Sequence, residues 1–235
     1  MIEDLHFITA VAHLLGGVSI RPAPRTTTSE FDIGCDAFQN QTDPTVAGYG
    51  IHFFNIVICG VFPPSLVREI MELTGNTQVI AFLEMWTVIR LIELFGSRLR
   101  GKRVRFAEDN LNTTSWVNKG HSRTSAPASG MCKTLALLCR LHDLELFAVD
   151  TRSADNKIPD AASRVLAYAA DGAAAMVELK QLMAAWQVDR RQTSQVEISV
   201  DSPVSDTFIS PASRHALYVN MGLPLATPLN LSPPK

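Results

Sequence analysis

The order of strand-like and helix-like runs is the tightest constraint on what this chain can fold into. Three short β-like runs come first and close together, at about 31–37, 48–54 and 56–62. The long apolar stretch Ile80–Phe95 follows, which predicts a helix over about 79–96, punctuated by Gly96 and Gly101. Strand and helix then alternate: a strand at 103–108, short helix at 111–118, helix at about 127–142, strand at Glu145–Val149, and a helix beginning near Ile158. Strands first, then alternation, predict a mixed α/β sheet with helices packed on it. Between the third strand and the long helix, Pro63–Asn76 reads as irregular, with a helical turn or two at Ser65–Leu73.

The flanks read differently. Residues 4–16 predict a helix with Leu5, Ile8, Val11 and Leu15 near one face, stopped by Gly16-Gly17 and followed by a polar linker through Ser29. Ala173–Trp186 predicts a further helix. Residues 190–235 hold seven Ser and six Pro, the composition of a loosely structured extension. The expected division is 1–29 as helix and linker, 30–170 as the α/β domain, and 171–235 as a helical, then Ser/Pro-rich, extension.

Composition excludes several classes. With 46% apolar and 19% charged residues the chain can bury a core. A net charge of −2 gives no general attraction to nucleic acid, so any basic surface must be local. The four cysteines make no Cys-x-x-Cys pair and have no His at zinc spacing, which predicts reduced core thiols of an intracellular protein. Met1-Ile2-Glu3-Asp4 is acidic, unlike a secretory signal, and Ile51–Phe62 is interrupted by Asn55 and too short for a bilayer. No membrane partner is expected.

Four acids stand in different local settings. Asp36 closes the first β-like run, Glu84 lies inside the apolar helix, Asp109 ends the fourth strand, and Asp160 opens the late helix. Carboxylates that converge from separate elements can hold Mg²⁺, which prefers oxygen ligands. Asp32 is the rival to Asp36, because strand alternation puts both on one face; Glu108 should point opposite to Asp109. Basic residues cluster at Arg98, Arg100, Lys102, Arg103 and Arg105, and again at Lys119, His121 and Arg123. Such clusters grip phosphate with little sequence preference, although cations also favour helix C-termini and sheet edges.

The segments Cys35-Asp36-Ala37-Phe38, Gly48-Tyr49-Gly50-Ile51, Leu83-Glu84, Glu108-Asp109-Asn110 and Asn156-Lys157-Ile158-Pro159-Asp160-Ala161-Ala162-Ser163-Arg164 occur in that order. In this the chain resembles the ribonuclease H domain of retrotransposon reverse transcriptases of the DIRS and Ngaro type, from about Asp4 to about Arg164. The resemblance implies a ribonuclease H-like five-stranded mixed sheet with its first three strands antiparallel. It also implies metal-dependent endonucleolytic cleavage of the RNA strand of an RNA–DNA hybrid, using two Mg²⁺ ions for which Mn²⁺ can substitute. Asp36 would bridge both ions, Glu84 and Asp109 would complete one site, and Asp160 would help hold the other. Asn110, Lys119, His121, Arg123 and Arg164 would contact the hybrid, and a polymerase domain of the parent element is an expected partner. The chain departs from the pattern at Phe38, where the family has Ser, in the long 39–47 loop, in the 63–76 insertion, and in the absence of His from Val149–Asn156. Two alternatives belong to other classes: a non-catalytic hybrid-binding or scaffold remnant, and a transposase or integrase-type nuclease, which would use a late Glu where this chain has Asp160.

Overall fold

A computed structural model describes residues 32–167 and 172–201. The helix expected at 4–16, its linker, and the stretch 202–235 lie outside the described residues. The described chain builds one mixed sheet with helices on both faces. Its strands are β1 (Ile33–Gln39), β2 (Ala47–Phe53), β3 (Ile56–Val61), β4 (Arg103–Glu108), β5 (Glu145–Asp150) and β6 (Glu197–Asp201), in the order β5-β4-β1-β2-β3-β6. The first three are antiparallel neighbours, while β4, β5 and β6 join in parallel. The expected sheet of five strands is therefore one of six. The extra strand falls in the Ser-rich stretch that composition marked as loose.

Long-range polar contacts explain why so short a strand forms there. Asp201, the last residue of β6, accepts two hydrogen bonds from Arg90, at 2.7 Å from Nε and 2.8 Å from Nη2, and a third from the Tyr49 hydroxyl at 2.7 Å. A planar guanidinium held in two places by one carboxylate fixes direction as well as distance. No local pattern in 190–201 announces this, because both partners come from far upstream.

The helices are α1 (Pro64–Thr74), α2 (Val79–Phe95), α3 (Leu111–Lys119), α4 (Ala126–Leu141), α5 (Lys157–Arg164) and α6 (Gly172–Arg190). The supposedly irregular 63–76 piece contains the three-turn helix α1. Its Pro64 stands where a helix needs no N–H, Leu66, Val67 and Ile70 are buried at helical spacing, and Gly75 ends it in the left-handed region at φ 59°. Helix α2 is buried on nearly every side, from Val79 to Phe95, and with Trp86, Phe82, Tyr49 and Phe62 it forms the centre of the main core. A second, smaller core lies on the other face of the sheet, where Ala161, Ala162, Leu179, Met183 and Trp186 meet Val57 and Cys59.

Helix α5 sits unusually close to β2, and the sequence shows why. A Cβ at Gly48 would run into the Ser163 carbonyl oxygen, and one at Gly50 into the Pro159 carbonyl oxygen. Only hydrogen at these positions lets the helix backbone rest on the strand. The Gly48-Tyr49-Gly50 segment thus leaves a strip without side chains on one face and sends Tyr49 into the core on the other. Asn156, itself buried, then pins the start of α5 by donating from Nδ2 to the Cys35 carbonyl at 2.8 Å.

Candidate metal centre

Strands β1 and β4 run parallel, and Gly34 of one is the neighbour of Ala107 of the other. Two residues further along each strand stand Asp36 and Asp109, so register alone sets these acids side by side. Glu84 approaches from α2. Oxygen atoms of Asp36, Glu84 and Asp109 lie within 4.8 Å of one another, close enough to share an ion. Asp36 and Glu84 are buried and Asp109 is half-buried.

The fourth expected acid stands beside this group and is held differently. Asp160 ion-pairs with Arg164 one turn along α5, and the Arg164 guanidinium lies 5.9 Å from the centre of the Phe38 ring. Its charge is still felt at Asp36. Between the two, the Ser163 hydroxyl lies 2.7 Å from Asp36 Oδ2 and 2.8 Å from the Asp160 carbonyl oxygen. The Ser163-Arg164 pair that ends the last motif therefore supports both acids, Ser163 at Asp36 and Arg164 at Asp160.

Asp32, the rival on the same strand face, is outside the cluster. It precedes β1, and its Oδ1 pairs with Arg190 Nε of α6 at 3.1 Å. Glu108 was expected to point opposite to Asp109, on the core face of β4, and it is buried there. That direction faces α2, however, and brings it to Glu84. Fully buried, Glu108 has its Oε1 3.3 Å from the Asn110 backbone N–H, and no hydrogen bond reaches its Oε2. A signal for it was present in the strand: Val104, Phe106 and Glu108 share the core-facing alternation, and the third is a carboxylate.

Packing acids this tightly changes their proton affinity. Burial, reinforced by Asp109 and Asp160 and opposed by Ser163, pushes Asp36 up to about 8. Burial, then Asp36 and Asp109, push Glu84 up to about 9. Burial and the Glu84 charge drive Glu108 well above the usual carboxyl range. The donors are hard oxygens, crowded and short of positive partners, and a divalent cation relieves such repulsion. The residues fit a metal ion.

A pH dependence follows. A folded state that raises carboxyl pKa values holds more protons than the unfolded chain, so metal-free stability is greatest below about pH 4 for these groups and declines as pH rises toward 8–9. Each group contributes a slope of up to about 1.4 kcal/mol per pH unit. Denaturant melts in EDTA should show the decline, and millimolar Mg²⁺ should offset it progressively at higher pH. Equal melting with Mg²⁺ and EDTA at pH 8.5 would count against an assembled site.

The residues expected to contact nucleic acid are distributed around this centre. Asn110 caps α3, its Oδ1 accepting from the N–H groups of Asn112 and Thr113 at 2.9 and 3.3 Å. Lys119, His121 and Arg123 are exposed at the other end of α3. That nine-residue helix is roughly 13 Å long, which sets their distance from Asp109. Trp116 is a core residue against Phe82, not a surface stacking platform. Among the described residues no helix is long and apolar enough to cross a membrane. No protein-family profile matches the chain, and comparison with curated proteins and with solved structures finds no match either.

Proposed function

We propose that this chain is a ribonuclease H-type endonuclease that cleaves the RNA strand of RNA–DNA hybrids with the help of Mg²⁺. The observation that carries the reading is the convergence of Asp36, Glu84 and Asp109 from a strand, a helix and an adjacent parallel strand end. Support also comes from the sheet, whose three antiparallel strands followed by two parallel ones match the arrangement expected of that fold. Bound divalent ions would supply an activated water and neutralise charge developing on the phosphate.

The protein's own part is positioning. Asp36 and Asp109 are placed by strand register, and Glu84 by a helix buried on nearly every side. Ser163 holds the Asp36 carboxyl in orientation. Asp160 is engaged by Arg164, so an incoming phosphate that attracts the guanidinium would free this carboxylate for the centre. Lys119 and Arg123, exposed and cationic, would grip the backbone beyond the cut.

The deciding experiment is incubation of the full chain with an end-labelled RNA–DNA hybrid, with Mg²⁺ and with EDTA. Mg²⁺-dependent cleavage of the RNA strand alone, leaving 3′-hydroxyl ends, is the expected result. Metal-independent binding without cleavage would favour the hybrid-binding remnant, a reading to which the Asp160–Arg164 pair lends some weight. Cleavage of DNA duplexes instead would favour the integrase-type alternative.

A further inference from the structure

Helices α5 and α6 cover β1, β2 and β3, and among the described residues no element lies over β4 and β5 on the same side. That half of the sheet presents Arg103 and Arg105 from β4 and Phe147 from β5, all exposed. Register places Arg105 beside Phe147 and Arg103 beside Glu145. The Arg103 guanidinium lies 5.8 Å from the Phe147 ring centre, and its Nε donates to Glu145 Oε2 at 2.9 Å. Phe147 nonetheless remains 42% exposed, a large aromatic surface on an open sheet. A hollow of about 390 Å³ lies here, lined by both arginines, Phe147, Val149 and Asn118.

A second hollow lies close by. Val149 neighbours Ala107, and Ala107 lines a second hollow of about 380 Å³ bounded by Lys157, Trp186 and Arg190. The first hollow thus lies on β4 and β5, and the second lies next to it along β4, against α5 and α6. Along β4, residues 103, 105 and 107 share the face that leads to Asp109. At ~3.3 Å per residue, Arg105 is roughly 13 Å from that acid along the strand.

The chemistry selects the occupant. Arginines beside an exposed aromatic on an open sheet face suit flat bases joined by phosphates. An extended peptide would add to the edge of β5, but the Asn118 side chain closes that edge at Ala148, donating to its carbonyl at 2.8 Å and accepting from its N–H at 2.9 Å. We infer that the β4–β5 face binds single-stranded nucleic acid, with a base stacked on Phe147, phosphates on Arg103 and Arg105, and the strand directed along β4 toward Asp109. Glu145 is the carboxylate that a phosphate displaces from Arg103. The direction toward Asp109 rests on the proposed nuclease reading; the binding does not.

The test is fluorescence anisotropy with a labelled 12-nucleotide oligouridine and the full chain in EDTA, where no cleavage can occur. Phe147→Ala should weaken binding roughly tenfold, and Phe147→Tyr should restore it, because the stacking surface returns. Replacing Arg103 and Arg105 with Gln should flatten the dependence of log affinity on log salt by ~1.4, two phosphate contacts on a single strand. Thermal melts check that each variant folds. Unchanged affinity in Phe147→Ala, or equal binding of a 12-residue polyglutamate, would overturn the inference. Loss of hybrid cleavage in Asp109→Asn with oligouridine binding intact separates this face from the metal centre. If wild type cuts no hybrid yet binds oligouridine through Phe147, the nuclease reading fails and this one stands.

Discussion

Asp109→Asn is expected to reduce hybrid cleavage by several orders of magnitude while leaving the fold intact. Asparagine keeps the shape and one carbonyl acceptor, so the end of β4 and the Asn110 cap of α3 should form as before. What changes is charge. Asp36 and Glu84 each feel Asp109 as a neighbour that raises their proton affinity, and its removal relieves that repulsion. The variant should therefore be as stable as wild type in EDTA, or slightly more so, yet gain less from Mg²⁺. This opposite movement of two readouts is the useful feature. A merely structural role would lower metal-free stability, and a merely electrostatic grip on substrate would change KM more than kcat. Glu72→Gln, on the exposed side of α1, is the matched loss of charge and should alter neither. If Asp109→Asn cuts hybrid as fast as wild type, the centre is not where the chemistry occurs.

The largest effect on stability should come from Asp201→Ala. It leaves Arg90, whose side chain is 18% exposed, with Glu93 as its remaining ion-pair partner among the described residues, and takes the acceptor from the Tyr49 hydroxyl. Breaking a largely buried pair from one side costs about 3 kcal/mol, because the desolvated charge stays behind. For a domain of this size that corresponds to a fall in Tm of roughly 6–12 °C. Asp201→Asn should fall between the two, since its carbonyl can still accept one bond. Urea unfolding of the three proteins would measure the series, and a loss below ~1 kcal/mol for Asp201→Ala would show that β6 contributes little to the sheet.

The features legible in sequence were those encoded locally. The β-like runs at β1 to β3 and the apolar length of α2 gave their positions to within about two residues. Asp36, Glu84 and Asp109 could be singled out because each sits at the end or the middle of a recognisable element. Less visible was whatever depends on distant partners. Nothing within 197–201 reveals that Arg90 and Tyr49 wait for Asp201. Alternation along β4 sets Glu108 on the core face, but nothing local to that strand reveals that α2 carries Glu84 to the same place. Helix α1 was underestimated for a different reason: Pro at its start and Gly at its end are loop residues by composition and helix boundaries by position.

The placement of β6 also bears on how the protein reaches its native state. Strands β1, β2 and β3 can pair as soon as they exist, through connections of only a few residues, but β3 meets its outer neighbour only across about 140 residues of intervening chain. Until then Ile56, Val57 and Ile58 present an open hydrogen-bonding edge. Contacts of such separation slow folding and prolong the life of the exposed edge. A growing chain would thus be most vulnerable to self-association late in synthesis, after its core has assembled and before residue 201 has emerged.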